Sequence, residues 1–289
     1  MPPERLVCPK SGREKMKIAL LGAGGKMGIR LGRNLSKTSH DVHYVEISEA
    51  GRERLKTELN VSPSDQADAL KAADVVVLAV PDTVIGTVAE KIVPTLDSGT
   101  LVIILDPAAP YAGHLPERED IGYFVTHPCH PSIFSDEESK QARDDRFGGI
   151  AAKQSIVNAL MHGPEALYAR GEEVAQIIWG PVLRSHRLTV EQLALLEPAL
   201  SETLAASLLE VMREGVEEVV RRGVPEIAAR DFLLGHLNIL AAVTFGHIPG
   251  VFSDACNKAV ENGKPRLMRD DWKGIFEPAE LAESIRRIT

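Results

Sequence analysis

The sequence predicts an α/β fold: a Rossmann-type doubly wound parallel sheet followed by an all-helical C-terminal domain. Three observations predict it. A short apolar run at residues 18–21 leads straight into Gly22, Gly24, Gly25 and Gly28, and an amphipathic helical pattern follows. Further short apolar runs then alternate with helical stretches, the order of a doubly wound sheet. From residue 189 onward the strand pattern stops, and apolar residues recur at helical spacing to the end.

The first strand–turn–helix unit occupies residues 17–32. Gly22-Ala23-Gly24 begins a G-x-G-x-x-G pattern, but Met27 fills its sixth position and the glycine comes one later, at Gly28. Gly25-Lys26-Met27-Gly28 is an equally good starting point, and a plain strand-to-helix turn is the alternative. Glycines let the backbone turn sharply and approach a pyrophosphate, which the helix N-terminus attracts with free N–H groups. Gly22, Ala23, Gly24, Gly25, Lys26 and Met27 are therefore candidate cofactor contacts. Residues 43–46 read as the second strand and end in Glu46, 22 residues after Gly24. A carboxylate there binds the adenosine ribose and repels a 2′-phosphate, which favours NAD. Arg52 nearby keeps NADP open.

A polar helix is expected at 48–59 and a short one at 67–73. The uninterrupted apolar run 74–80 is a central parallel strand. It ends at Val80-Pro81-Asp82, on the edge where ligands sit, and Val80 and Asp82 join the cofactor candidates. A helix at 83–92, a strand at 100–105 ending at Asp106, and a strand at 122–126 ending at His127 continue the alternation. A strand at 155–161, a helix at 164–178 and a last strand at 181–188 complete the sheet. The domain division expected is a loose extension at 1–15, an NAD-binding domain at 16–188 and a helical substrate and dimerisation domain at 189–289.

In the helical part, apolar positions three to five apart from Val190 to Val219 predict one long helix to about residue 222. Pro198 kinks it, and Gly223 and Pro225 end it. A second helix, 226–245, is apolar on nearly all sides and reads as buried. A third starts near Ser253 and stops at Gly263; a last one starts near Pro278. Helices this apolar want more cover than one small domain gives, which predicts a homodimer through the helical domain.

With 33 Lys and Arg against 41 acids the net charge is −8. That leaves no broad basic surface for nucleic acid. Cys8, Cys129 and Cys256 are far apart and odd in number, as in a reducing cytoplasm. The first fifteen residues hold no apolar core of signal-peptide length. The apolar stretch 232–245 contains His236 and Asn238 and is too short to cross a membrane, so no membrane partner is expected.

Several residues carry candidate chemistry. Asp82 and Asp106 end central strands, where they line a cleft or cap the next helix. His127 and His130 follow a strand on the ligand edge, between prolines. Two imidazoles three apart share a metal or divide the roles of base and orienter. Glu197 interrupts an apolar helical run and, if it faces His127, completes a divalent-metal site with that imidazole. Glu202 reads as a solvated helix residue. Arg184, His186 and Arg187 form a small cationic patch that binds a substrate carboxylate or faces solvent. Lys258 and Asn257, on a later helix, could close the cleft, and Lys258 joins His127, His130 and Glu197 as a catalytic candidate.

The N-terminal half resembles the superfamily of 6-phosphogluconate dehydrogenase, prephenate dehydrogenase and ketol-acid reductoisomerase, on Gly24-Gly25-Lys26-Met27-Gly28, Val77-Leu-Ala-Val-Pro-Asp82 and Asp106. Longer strings cover nearly the whole chain. Phe124-Val-Thr-His-Pro-Cys-His-Pro131, Arg184-Ser-His-Arg187, Leu196-Glu-Pro198, Arg230-Asp-Phe-Leu-Leu-Gly-His236, Phe252-Ser-Asp-Ala-Cys-Asn-Lys258 and Met268-Arg-Asp-Asp-Trp-Lys273 resemble the D-apionate oxidoisomerase family. The resemblance implies oxidation of the 2-hydroxyl of a branched sugar acid with NAD, then rearrangement to 3-oxo-isoapionate with the carboxylate migrating. A plain hydroxyacid or 6-phosphogluconate-type dehydrogenase is the alternative enzyme; a non-catalytic NAD-binding protein is the alternative of another class.

Overall fold

The computed structural model describes residues 15–289. Cys8 and nearly all of the expected N-terminal extension lie outside the described residues. The chain alternates β1 (Lys17–Leu21), α1 (Lys26–Leu35), β2 (Asp41–Val45), α2 (Glu49–Arg54), α3 (Gln66–Leu70), β3 (Val75–Leu78), α4 (Ile85–Ile92) and β4 (Leu101–Ile104). It continues with α5 (Ala108–Tyr111), β5 (Gly122–Pro128), α6 (Lys140–Asp144), β6 (Gln154–His162), α7 (Ala166–Ile178) and β7 (Val182–Arg187).

The seven strands form one sheet in the order β2-β1-β3-β4-β5-β6-β7. Every pairing is parallel except β5 with β6. The central strands β3 and β4 are buried at every position, which is why they read as continuous apolar runs. Ile18, Leu20, Val75, Val77, Leu101, Ile103 and Phe124 pack on one face against α1 and α7. Ala19, Leu21, Val76, Leu78, Val102 and Ile104 pack on the other against α4. The carboxyl ends of β1, β3, β4 and β5 therefore share one edge, and the glycine turn, Asp82, Asp106 and His127 follow them there.

Helices begin directly after β7. Thr189 caps α8 (Val190–Ala194) through a reciprocal bond pair with Gln192. The helix then widens into a π-helical segment, Leu195–Ala206, before α9 (Ser207–Arg221). The expected kink at Pro198 takes this form. Proline has no N–H to give and its ring crowds the preceding turn, so a wider turn accommodates it. The remaining helices are α10 (Glu226–Thr244), α11 (Asp254–Leu267) and α12 (Pro278–Ile288). The last folds back, packing Leu281 and Ile285 against Ala108, Ala194 and Ala199.

Two expectations fail here. Helix α10 is not buried: only Ala229 and Ala242 are covered, while Ile227 and Phe232 are 76% and 69% exposed. An all-round apolar pattern signals that something covers a helix, not that the same chain does. Helix α11 does not stop at Gly263 but runs through it and through Pro265, at the loss of the bond the proline nitrogen cannot donate, and ends within three residues of it. The whole of α10, Glu226–Thr244, is longer than the apolar stretch 232–245 and by length and composition alone is apolar enough to cross a bilayer.

Candidate active site

Close approach explains the glycine turn. Gly22 has φ +74°, and a Cβ there would overlap the Ala79 carbonyl. A Cβ at Gly28 would overlap the Gly22 carbonyl oxygen, and one at Gly24 would strike the Gly51 backbone. Gly25 is the N-cap of α1 in extended conformation, with no side-chain cap on the first N–H groups. Ala23 is fully buried, whereas Lys26 is exposed and Met27 half-buried beside that N-terminus. Free N–H groups, no side chain above them and a lysine alongside make an anion seat.

Glu46 sits at the tip of β2, buried against this turn. Gly24 N–H donates to its Oε2 at 2.9 Å; Ser48 N–H and Oγ–H donate to Oε1 at 2.8 and 2.9 Å. Burial pushes the carboxyl up, but these bonds outweigh it and hold the group below the ordinary glutamate value. It is therefore an anion at neutral pH. Next to it Ile47 is 84% exposed, an apolar shelf beside the ribose-reading position.

His127 forms the centre of the second group. Its Nδ1 lies 2.8 Å from the Leu105 carbonyl oxygen. A carbonyl only accepts, so Nδ1 carries the hydrogen and Nε2 faces the other way. Nε2 stands 3.2 Å from Glu197 Oε2. A neutral nitrogen lone pair facing a carboxylate oxygen is repulsive unless a proton or a metal ion lies between them. Asp106 completes the arrangement: ligand atoms of Asp106, His127 and Glu197 all lie within 4.8 Å of one another. Three elements meet here, the end of β4, the end of β5 and the π-helical segment.

Neighbouring carboxyls feel the trio. Burial, then the charge of Asp106, pushes Asp82 up. Burial also pushes Asp106 up against the Ala108 N–H bond and His127, with Glu197 adding to the rise. Glu202 is raised by burial and by Glu197, Asp106 and Asp82. Glu202 is solvent-exposed, as expected, yet close enough to the trio to feel its charges. In an α-helix residues four apart share a face; with i→i+5 bonding residues five apart do, which puts Glu202 above Glu197. Thr203 Oγ shows the same spacing, donating to the Pro198 carbonyl at 2.6 Å.

His130 is held by a different device. It has φ +59°, a conformation that costs a non-glycine residue about 1–3 kcal/mol. Its Nδ1 lies 2.9 Å from the Phe147 carbonyl oxygen, so the hydrogen again sits on Nδ1 and Nε2 is left as an acceptor. The two imidazole rings lie 6.2 Å apart, edge to face. Arg30 of α1 fixes the loop that supplies this carbonyl, donating to Gly148 O at 2.6 Å. Asp145 fixes it too, accepting three backbone N–H bonds from Ile150, Ala151 and Ala152.

The fold thus brings His127, His130, Glu197, Asp106 and Asp82 to one edge of the sheet, and Gly22–Met27, Glu46 and Val80 to the adjoining turn. It does not bring Lys258 to them: that residue is exposed on α11, and its ammonium makes no ion pair among the described residues. Arg187 is bound to Glu165. Residue spacing flagged Asp106 only as one strand end among several, and read Glu202 only as a solvated helix residue. The proline inside the helical run was the signal that the spacing there would change.

A glycine turn at the start of a parallel sheet, an ionised acid at the tip of β2 and a cluster of imidazole and carboxyl groups at the strand ends define a nicotinamide-dinucleotide oxidoreductase. Family models agree: residues 17–110 match the NADP oxidoreductase coenzyme F420-dependent family, and residues 135–289 match the phosphogluconate dehydrogenase (decarboxylating) C-terminal family. The chain belongs to the D-apionate oxidoisomerase family. It is 63% identical to the D-apionate oxidoisomerase of Rhizobium rhizogenes over 272 residues, covering 94% of this chain and 99% of that one. Identity to the Cupriavidus necator D-apionate oxidoisomerase is also 63%, over 95% of this chain and all of the relative. A crystal structure of a semialdehyde dehydrogenase NAD-binding protein from Cupriavidus necator in complex with calcium and NAD superposes with TM-score 0.94. That protein is 63% identical, with 96% of this chain and 100% of that one covered. An NADH-preferring ketol-acid reductoisomerase from an uncultured archean, 18% identical with TM-score 0.64 over 94% and 82% of the two chains, shares the fold.

Proposed function

We propose that this chain oxidises the branched sugar acid D-apionate with NAD and rearranges the resulting 2-oxo acid to 3-oxo-isoapionate. The opposed pair of His127 Nε2 and Glu197 Oε2, with Asp106 beside it, carries the reading: it is built for a positive species at the place where an oxygen of the substrate must be held. Two carboxylates and an imidazole with its Nε2 lone pair free fit a divalent cation. His127, Glu197 and Asp106 would hold it. When bound, the cation supplies Lewis-acid polarisation of a hydroxyl or oxo oxygen, and NAD supplies the hydride acceptor.

The residues do the rest. Gly22–Met27 seat the pyrophosphate, Glu46 takes the ribose hydroxyls, and Val80 and Asp82 flank the nicotinamide half of the cleft. His130 accepts the proton of the substrate 2-hydroxyl at Nε2, because the Phe147 carbonyl occupies its Nδ1–H. Once His130 has passed that proton to solvent, it, or Glu202, takes the proton of the tertiary hydroxyl on C3. Atom balance names the mobile group. An alkoxide on C3 becomes a carbonyl only if a substituent leaves C3. A hydroxymethyl group, rather than the carboxylate, therefore moves to C2 with its bonding pair. The C2 oxygen receives the displaced pair and a proton.

We further propose that the chain works as a homodimer through its helical half, with residues 16–188 binding the dinucleotide and residues 189–289 carrying the substrate and dimer surfaces. Leu209, Val211, Val219, Ile227, Phe232 and Leu234 are all exposed on α9 and α10. Arg230, Asp231, His236 and Asn238 interrupt α10, which suits a protein partner better than lipid. A cytoplasmic setting agrees with the free thiols of Cys129 and Cys256. The test is direct. The chain with NAD and D-apionate should release NADH, and ¹³C NMR should show the rearranged skeleton. A 2-oxo acid as the end product would reduce the protein to a plain dehydrogenase; no NADH would end the reading.

A further inference from the structure

The two arginines of β7 point to opposite faces of the sheet, and the difference bears on how the substrate is held. Ser185 and Arg187 face α7. Ser185 Oγ donates to Glu172, and Arg187 forms a two-pronged pair with Glu165 while its guanidinium lies 4.1 Å over the Tyr168 ring. The strand bulges between Val182 and Ser185, where Leu183 and Arg184 together oppose Ser155; counted from Ser185, after the bulge, side chains alternate and Arg184 and His186 take the other face. The same alternation operates on β5. Thr126 Oγ accepts a bond from Trp179 Nε1 at the end of α7, so His127 points away from α7.

Strand register places these outward residues together. His127 pairs with Val157, and Val157 pairs with His186. Cys129 N–H donates to the Ser155 carbonyl, which carries the ladder one step beyond β5. Arg184 and Cys129 thus flank the next row on the face of the trio. The electrostatics agree: burial pushes the Cys129 thiol up, with the charge of Glu197 adding and that of Arg184 opposing.

We infer that Arg184 binds the carboxylate of the substrate, an inference that rests on the proposed activity. Asp82, Asp106, Glu197 and Glu202 make the cleft strongly negative, so an anionic substrate needs a fixed cation beside it. Arg184 is exposed and makes no hydrogen bond or ion pair among the described residues, whereas Arg187 is already held by Glu165. A guanidinium presents two parallel N–H donors to a carboxylate and stays charged at any working pH. Strands β5 and β7 are two spacings apart, roughly 10 Å. An extended arginine covers most of that span, so a small acid whose hydroxyls sit at the trio has its carboxylate at the guanidinium. The site selects 2-hydroxy acids over neutral sugars or lactones of the same shape.

The experiment compares D-apionate with its primary amide in the wild type, Arg184→Gln and Arg184→Lys. For Arg184→Gln the expected result is a rise in KM for D-apionate of roughly 10- to 100-fold, a smaller change in kcat and an unchanged Kd for NAD. Inhibition by the amide should be unaltered, and Arg184→Lys should recover part of the loss. An unchanged KM, or equal losses for acid and amide, would overturn the assignment. Wild-type enzyme that makes no NADH from D-apionate refutes the proposed activity instead, so the two failures are separate.

Discussion

The glycine turn and helix α10 are built on opposite principles. In the turn every contact is internal: the Gly22 carbonyl sits where a Gly28 side chain would go, and the Glu46 carboxylate caps Gly24 and Ser48. Along α10 only two of nineteen residues are buried, and both are alanines. In the proposed homodimer, one copy completes its own cofactor half and leaves its helical half to be completed by another. The proposed site spans the division, because Asp106 and His127 come from the sheet and Glu197 from the first helical segment beyond it.

The largest effect should come where the halves meet. His127→Ala is expected to lower kcat by ~10²-fold or more while the Kd for NAD stays within about twofold. Glu197→Gln should behave alike and also weaken divalent-cation binding, read by calorimetry without substrate. A His127→Ala enzyme at wild-type rate would remove the trio from the chemistry. Gly28→Ala should give the reverse split. With the Gly22 carbonyl in the way, the turn must open, costing about 3 kcal/mol of stability and the seat of the pyrophosphate. NAD affinity falls first, and urea denaturation reports the rest. Unchanged NAD binding in a folded Gly28→Ala protein would mean that the dinucleotide lies elsewhere.

A third effect belongs to the helical half alone. Phe232→Asp puts a charge on the exposed apolar face and is expected to weaken self-association by about 30-fold or more, as for a central anchor of an interface. Sedimentation at several concentrations measures it, and circular dichroism should show the helices intact. If the wild type already sediments as a monomer at micromolar concentration, the face serves some other partner and the contrast between the halves loses its explanation.

How much of this was legible in the sequence divides along the same line. Strand, glycine turn and Glu46 were readable because local backbone sterics dictate them: a turn this tight accepts only glycine at Gly22 and Gly28. His127 and Glu197 were readable as residue types out of place in apolar runs. Glu202 was not, because helical counting assumes 3.6 residues per turn and Pro198 widens the helix where it matters. The burial of α10 was misjudged for another reason. Hydrophobicity does not say what covers a surface, and in the proposed homodimer the cover of α10 is a second copy. Helix α11 outran Gly263 because that glycine lies in open space, where a missing side chain costs the helix only about 1 kcal/mol.

The smallest effect tests how the sheet half holds His130. Asp145 accepts N–H bonds from Ile150, Ala151 and Ala152 at 3.0, 2.9 and 3.2 Å and lies 3.5 Å from Arg30 Nη1. Burial raises its carboxyl, but these partners outweigh that and leave it below the ordinary aspartate value. A group depressed in the folded state favours folding when ionised. Its contribution is complete above the unfolded pKa of about 3.9 and disappears as pH falls through the lower folded value. Asp145→Asn keeps the shape and one acceptor oxygen but removes the charge. It should therefore destabilise the protein by about 1–2 kcal/mol at neutral pH. Measured by urea denaturation, that difference should hold from pH 7 to about 5 and shrink below about 4. A difference that stays constant into strong acid would assign Asp145 a purely steric part. Because the Asp145 loop supplies the Phe147 carbonyl to His130, the proposed base, the same variant should also lower kcat more than it alters NAD binding.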